Sequence, residues 1–236
     1  MYLKLIVLLT SVCALVSGSL KLTVVHTNDM HSRIDEINAQ SSKCVGDGTN
    51  CYGGFARVKK AVDDVRARAT QEGRSTIFLN AGDTFQGTTF YTMYKWSLFT
   101  PLIDLLGIDV MSLGNHEFDD GPQGLAPYLK NISTPVVACN LDLKPEPLMD
   151  NTGITPSKVL KVDGVDVGVI GYLTPETQFL SSVGKVKFLN EVESIKKEAA
   201  RLTEQGVKLI IALGHSGFNV DKSIAANVPE VDLVIG

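Results

Sequence analysis

Four short groups of residues carry the chemistry that this chain offers: Asp29-Met30-His31, Gly82-Asp83, Gly114-Asn115-His116-Glu117-Phe118-Asp119 and Gly214-His215-Ser216. Aspartate, histidine and asparagine supply oxygen and nitrogen donors, a set suited to divalent cations that activate water. Each group follows an apolar run that reads as a strand. The donors are therefore expected on loops at strand ends, where open α/β sheets gather their active sites. The chain has four histidines, and three of them, His31, His116 and His215, fall in these groups. Singly, each group has an ordinary reading: Gly-Asp is a turn, Asn115 caps a helix, His215 is a satisfied core residue. Four such groups in order, each after a strand-like run, are not what turn chemistry alone produces.

A two-cation site needs a shared carboxylate, and Asp83, between the other groups in sequence, is the expected bridge. Asp29 and His31 would complete one cation, and Asn115 and His215 would serve the other. His116 follows a ligand directly, so it is expected to enter the same cleft at another angle. There it would stabilise developing charge or protonate a leaving oxygen. Asp119, three residues on, would orient its ring.

The elements that must position these donors alternate along the chain. Residues 20–27 read as a strand leading into the first group, and residues 33–53 are irregular. From 54 to about 70, Phe55, Val58, Ala61, Val62 and Val65 recur at helical spacing, with charged residues mostly on the other face. Residues 76–80 read as a buried strand, and about 91–106 as a helix interrupted near Pro101. Residues 109–113 read as a strand, 125–130 as a helix and 135–138 as extended chain. The Pro-rich, polar stretch 144–157 reads as a loop. Residues 159–162 and 165–172 form a hairpin joined by Asp163-Gly164, a type I′ signal. A helix over 191–205 and an apolar strand over 207–213 deliver His215, and 231–235 is a last strand. This alternation, with one hairpin, argues for α/β layers with mixed rather than purely parallel strands.

Residues 1–19 read as a secretory signal peptide, with Lys4, apolar stretches at 5–9 and 12–16, and small residues at Ser17-Gly18-Ser19. That apolar run is short for a membrane span, and no later stretch is long and apolar enough to cross a bilayer. Residues 20–236 suffice for one sizeable core. Without Lys4 they carry 21 basic and 26 acidic residues, a formal charge of −5. The acidic balance argues against nucleic acid as a partner, which wants a basic face. It leaves room for a phosphate substrate, because bound cations would dominate the local field. Cys13 leaves with the leader. Cys44 and Cys51 flank a Gly-rich loop and, in a secreted chain, are natural disulfide partners. Cys139 lies in a strand-like run and reads as a buried free thiol. Asn131-Ile132-Ser133 is a sequon for N-glycosylation.

The motifs resemble those of the calcineurin-like metallophosphatases. Val25-His26-Thr27-Asn28-Asp29-Met30-His31-Ser32-Arg33, Asn80-Ala81-Gly82-Asp83, residues 114–119 and Tyr52-Gly53-Gly54-Phe55-Ala56-Arg57 narrow the likeness. Over about residues 20–236 the chain resembles the N-terminal domain of the secreted 5′-nucleotidase and apyrase family. The resemblance implies a four-layer α/β/β/α sandwich and hydrolysis of nucleoside phosphates, with a small-molecule nucleotide as substrate. It implies metal ligands at Asp29, His31, Asp83, Asn115 and His215, and a catalytic dyad of His116 and Asp119. Two divalent cations are implied; the His ligands favour zinc or manganese, with calcium and magnesium open. Arg33 matches an arginine near the site and fits a surface arginine nearly as well.

The implied location is extracellular, or cell-surface anchored in a longer form. The family continues past a strand like 231–235 into Gly-Gly-His-x-His/Asn/Gln, which adds a metal-ligating His, and then into a nucleoside-binding domain. This sequence ends at Gly236. An incomplete sequence and a natural truncation both fit, and the 236-residue chain by itself is expected to be a poor phosphohydrolase. A second reading is a secreted protein that keeps the fold and binds nucleotide or metal without turnover. The intact His116–Asp119 pair favours the enzyme, and the missing ligand would favour the binder.

Overall fold

Period-two alternation in the strands builds two main sheets with a core on each face, beside a separate two-stranded pair. The structure is a computed structural model describing residues 19–46 and 48–236. The expected signal peptide thus lies outside the described residues, apart from Ser19. The first sheet holds β1 (Leu22–Thr27), β2 (Ser75–Asn80) and β3 (Val110–Met111), all parallel, in that order. Helices α1 (Phe55–Gln71), α2 (Thr89–Leu106) and α3 (Gly121–Asn131) connect and cover it. Residues 135–138 extend as expected, with bridges from Val136 to Met111 and from Val137 to Thr155.

The short β4 (Leu141–Asp142) precedes the hairpin of β5 (Ser157–Val162) and β6 (Val165–Leu173). Both hairpin turn residues are left-handed, Asp163 at φ 47 and Gly164 at φ 79, as a type I′ turn requires. After α4 (Thr177–Leu180) and β7 (Lys187–Phe188), the latter antiparallel to β4, come α5 (Glu191–Glu204), β8 (Leu209–His215), α6 (Phe218–Asn227) and β9 (Leu233–Ile235). The second sheet runs β5-β6-β8-β9, antiparallel only at its hairpin.

Three apolar clusters separate four layers. Phe78 and Met111 on the first sheet meet Phe55, Val62, Phe99, Ile103, Leu125 and Tyr128 from the three helices. The opposite face, with Ile77, Leu79 and Val110, packs on Val167, Val169, Ile211 and Leu213 of the second sheet. Ile170, Tyr172, Ile210 and Ala212 then face Ile195, Ala199 and Leu202 of α5 and Ile224 of α6. Adjacent residues such as Phe78 and Leu79, or Val169 and Ile170, thus enter different clusters, as the pleat demands. The result is the expected α/β/β/α sandwich. Among the described residues no helix is long and apolar enough to cross a membrane.

Local departures from expectation have physical causes. The break in α2 falls at Lys95 (φ 52, ψ −150), not at Pro101. Pro101 therefore sits about one turn into a fresh helical segment, where its missing N–H forfeits one bond. β8 continues two residues beyond 213, so His215 is its last residue rather than a loop residue after it. The β4–β7 pair and α6 had no sequence signal. The strands of that pair are two residues long, and α6 buries only Ile224. Cys44 and Cys51 form a disulfide, with Cα atoms 5.8 Å apart. Cys139 is a free thiol and half-buried, and burial, with Glu198 nearby, pushes its pKa up to about 12.

Candidate metal centre

All four donor groups emerge at the C-terminal ends of parallel strands. The chain leaving β1 runs alongside the chain leaving β2. Asp29 N–H donates to Gly82 O (3.1 Å), His31 N–H to Asp83 O (3.0 Å) and Ser32 N–H to Thr84 O (2.8 Å). Ser32 and Thr88 lock the far end, Ser32 Oγ donating to Gln86 O (2.8 Å) and Thr88 Oγ1 to Ser32 O (2.9 Å). Five non-glycine residues here are left-handed: Asp29 (φ 49), His31 (φ 44), Ser32 (φ 50), Asp83 (φ 52) and Gln86 (φ 59). Each costs on the order of 1–3 kcal/mol and persists only where its surroundings over-determine it, a pattern concentrated at functional sites.

The side chains of Asp29, His31, Asp83 and His215 converge. His215 Nε2 lies 3.2 Å from Asp83 Oδ2 and 3.9 Å from Asp29 Oδ1. His31 Nε2 lies 3.4 Å from Asp29 Oδ1 and 3.9 Å from Asp83 Oδ2. One Asp83 oxygen thus faces both imidazoles, and the other accepts the His116 N–H at 2.9 Å. His116 Nδ1 is 2.7 Å from Asp119 Oδ2, and its ring stands edge-on to His31 with centroids 5.2 Å apart. Asn115 is half-buried and opens the 3₁₀ turn Asn115–Phe118, one residue before the N–H that binds Asp83. The fourth histidine, His26, is exposed on β1. Arg33 is half-buried and donates to Ser41 O at 3.3 Å.

The electrostatics are those of an anionic cluster. Burial works against charge on His215, but hydrogen bonding to Asp83 and the charges of Asp83, Asp29 and Glu117 push its pKa up to about 9. Burial would raise Asp83, and the His215 ring together with the His116 N–H and its charge outweighs it and holds that carboxyl below its usual range. Burial also opposes the rise at His116, which the Asp119 hydrogen bond and the Asp83 charge bring about. Imidazoles that take up protons so readily mark a field that favours cations generally. Ligand atoms of Asp29, Asp83 and His215, and separately of His31, Asp83 and His116, lie within 4.8 Å of one another. The donor chemistry and this clustering fit divalent cations.

Two residues of the site had no assigned role in the sequence. Glu117 lies inside the recognised motif but is turned away from the cleft and completely buried. Ser181, just after α4, places Oγ 2.8 Å from Asp119 Oδ1 and 2.8 Å from Asn115 O. It lies 62 residues beyond Asp119, and no local signal points to it.

A family model for calcineurin-like phosphoesterases matches residues 22–236. The chain belongs to the calcineurin-like phosphoesterase family. Within that family it is similar to Protein 5NUC of Lutzomyia longipalpis, 47% identical over 234 residues, covering 97% of this chain and 40% of that protein. It is 42% identical to the 5′-nucleotidase of Mus musculus, covering 92% of this chain and 37% of the relative. Among solved structures it resembles a 5′-nucleotidase precursor from Thermus thermophilus, with TM-score 0.81 and 37% identity over 91% of this chain and 41% of that one. It also resembles the NAD nucleotidase of Haemophilus influenzae, with TM-score 0.77 and 29% identity over 89% of this chain and 37% of that one. This calcineurin-like phosphoesterase chain therefore spans about two fifths of the length of these relatives.

Proposed function

We propose that this chain carries the metal centre of an extracellular 5′-nucleotidase, one that hydrolyses the phosphate ester of a small-molecule nucleotide. The observation that carries the reading is the double-facing Asp83 carboxylate, one oxygen of which stands between His31 and His215 with Asp29 opposite. Asp29, His31 and Asp83 would hold one cation, and Asp83, Asn115 and His215 the other. A divalent pair there supplies Lewis-acid charge to the phosphate and lowers the pKa of water toward neutrality. Imidazole donors favour zinc or manganese.

The chain's own residues supply the proton chemistry. Asp119 engages His116 Nδ1, which fixes the ring and leaves Nε2 to serve the substrate. Its pKa is raised by Asp119 and Asp83, which suits His116 to donate a proton to the departing ester oxygen. A protein that only binds nucleotide has no use for this pair, so the non-catalytic reading is not favoured. Relatives named 5′-nucleotidase support that activity over apyrase. Venom relatives and the Cys44–Cys51 disulfide support secretion, with residues 1–19 as leader and 20–236 as the metallophosphatase domain.

The test is phosphate release from AMP, ADP and ATP by the protein carried past Gly236 into the continuation that the family resemblance implies, after chelation and after return of zinc or manganese. The wild-type chain is expected to regain activity with metal, and Asp83→Ala is not. Metal-independent release, or equal release by Asp83→Ala, would sink the proposal.

A further inference from the structure

We infer that Glu117 is the positioning residue of the metal centre, a buried carboxylate that sets the Asp83 loop and the Asn115–His116 turn against each other before any cation arrives. The inference rests on the reading that Asp83 and Asn115 are ligands.

Glu117 is fully buried, and its carboxylate accepts four backbone N–H groups. Oε1 takes Thr84 (2.7 Å) and Phe85 (3.0 Å). Oε2 takes Asp83 (2.9 Å) and Gly114 (2.6 Å). Three of these donors belong to the loop after β2. The fourth caps the 3₁₀ turn that carries Asn115 and His116, with Glu117 reaching back three residues as in a capping box. One side chain therefore joins two segments more than thirty residues apart.

Asp83 needs this hold because its backbone is left-handed, at φ 52. Three consecutive N–H groups pinned to one carboxylate fix the turn that aims Asp83 at His31 and His215. The fit between the segments leaves no slack. A Cβ on Gly82 would lie 2.3 Å from Gly114 N, and one on Gly114 would lie 2.0 Å from Asp83 Oδ1. A shift of either loop would move Asp83 and the His116 N–H that binds it together.

Four donors on two oxygens also explain why the acceptor is a carboxylate. Glutamine has the same shape but one acceptor oxygen, so either amide orientation turns an NH2 group toward two of the four donors. Leaving buried donors unmet is costly. A residue that served only to fill space would tolerate glutamine.

The test uses the 236-residue chain without metal, then titrated with Mn²⁺. In the metal-free wild type, amide hydrogen exchange at Asp83, Thr84, Phe85 and Gly114 is expected to be as slow as in β2. Exchange as fast as in the irregular segment 33–53 would overturn the inference without recourse to any variant. In Glu117→Gln these four amides are expected to exchange faster, and the folded protein to bind Mn²⁺ about 10- to 100-fold more weakly, the usual effect of losing an outer-shell partner. Wild-type Mn²⁺ affinity in folded Glu117→Gln would overturn it, since lost stability alone does not change the affinity of the folded fraction. Asp83→Ala serves as the reference. If it binds Mn²⁺ as tightly as wild type, the ligand reading itself falls, a result distinct from a silent Glu117→Gln.

Discussion

The two sides of the proposed metal centre are built by opposite means. Asp29, His31 and Asp83 sit on paired loops with left-handed backbone, held by cross-loop N–H bonds and by Glu117. His215 is the terminal residue of a regular strand, in register with Leu173 and aimed by the pleat. The first side has strain and many bonds to hold it, whereas the second has an apolar strand in a packed sheet. Strained loops demand particular residue types at fixed spacing, and so they leave a motif. A strand end demands only an apolar run, which many sequences provide. The contrast accounts for why the first two groups read as signatures while His215 stood out mainly through the company it keeps.

The largest effect is expected at the carboxylate on which both sides converge. Asp83→Ala should abolish metal-dependent phosphate release and leave substoichiometric metal, measured by elemental analysis after desalting. His215→Ala should spare metal held by Asp29, His31 and Asp83, giving about half the wild-type content. Equal loss in both variants would mean that the two sides do not bind independently. His116→Ala comes next, with kcat lower by about 10²- to 10⁴-fold and metal content retained. Metal loss matching Asp83→Ala would make His116 a ligand.

Smaller effects probe what supports the strained side. Asp119→Asn removes the partner that raises the His116 pKa, so the alkaline limb of kcat should move to lower pH, because the acid form is then lost sooner. Ser181→Ala takes a hydroxyl donor from Asp119 Oδ1 and leaves that carboxylate a stronger acceptor for His116, so the limb should move slightly the other way, to higher pH. An unmoved limb in Asp119→Asn would remove His116 as the acid. Replacing Cys44 and Cys51 by serine should cost roughly 2.5 kcal/mol of stability by the chain-entropy estimate for so short a loop. Denaturant titration of the metal-free protein measures it. The smallest expected effect is at Cys139. With its pKa pushed up to about 12, almost no thiolate exists near neutral pH, so native protein should resist iodoacetamide that labels the unfolded chain.

Much of the fold was legible because its strands alternate or run apolar and its helices are amphipathic. The layer order follows from which residues share a face, as with Ile77 and Leu79 against Phe78. Features fixed by distant partners stayed hidden. The α2 break at Lys95 accompanies an ion pair with Asp120, 25 residues away at 2.9 Å, while the visible breaker, Pro101, is tolerated. Within the site, donor types could be read from the sequence because cations select them. The supporting roles of Glu117 and Ser181 could not, because a backbone N–H or carbonyl partner leaves no trace in side-chain sequence.

The core between the sheets has a further consequence. His215 ends a strand of one sheet and Asp83 follows a strand of the other, and they stand 3.2 Å apart. That distance is close to the rise of one residue along a strand, about 3.3 Å. If Leu79 and Val110 slid by a single step over Ile211 and Leu213, the contact would be gone although every hydrogen bond within each sheet survived. The interlayer packing therefore acts as a caliper for the site. The gap that a cation would fill is gauged by the volumes of aliphatic side chains that never touch it.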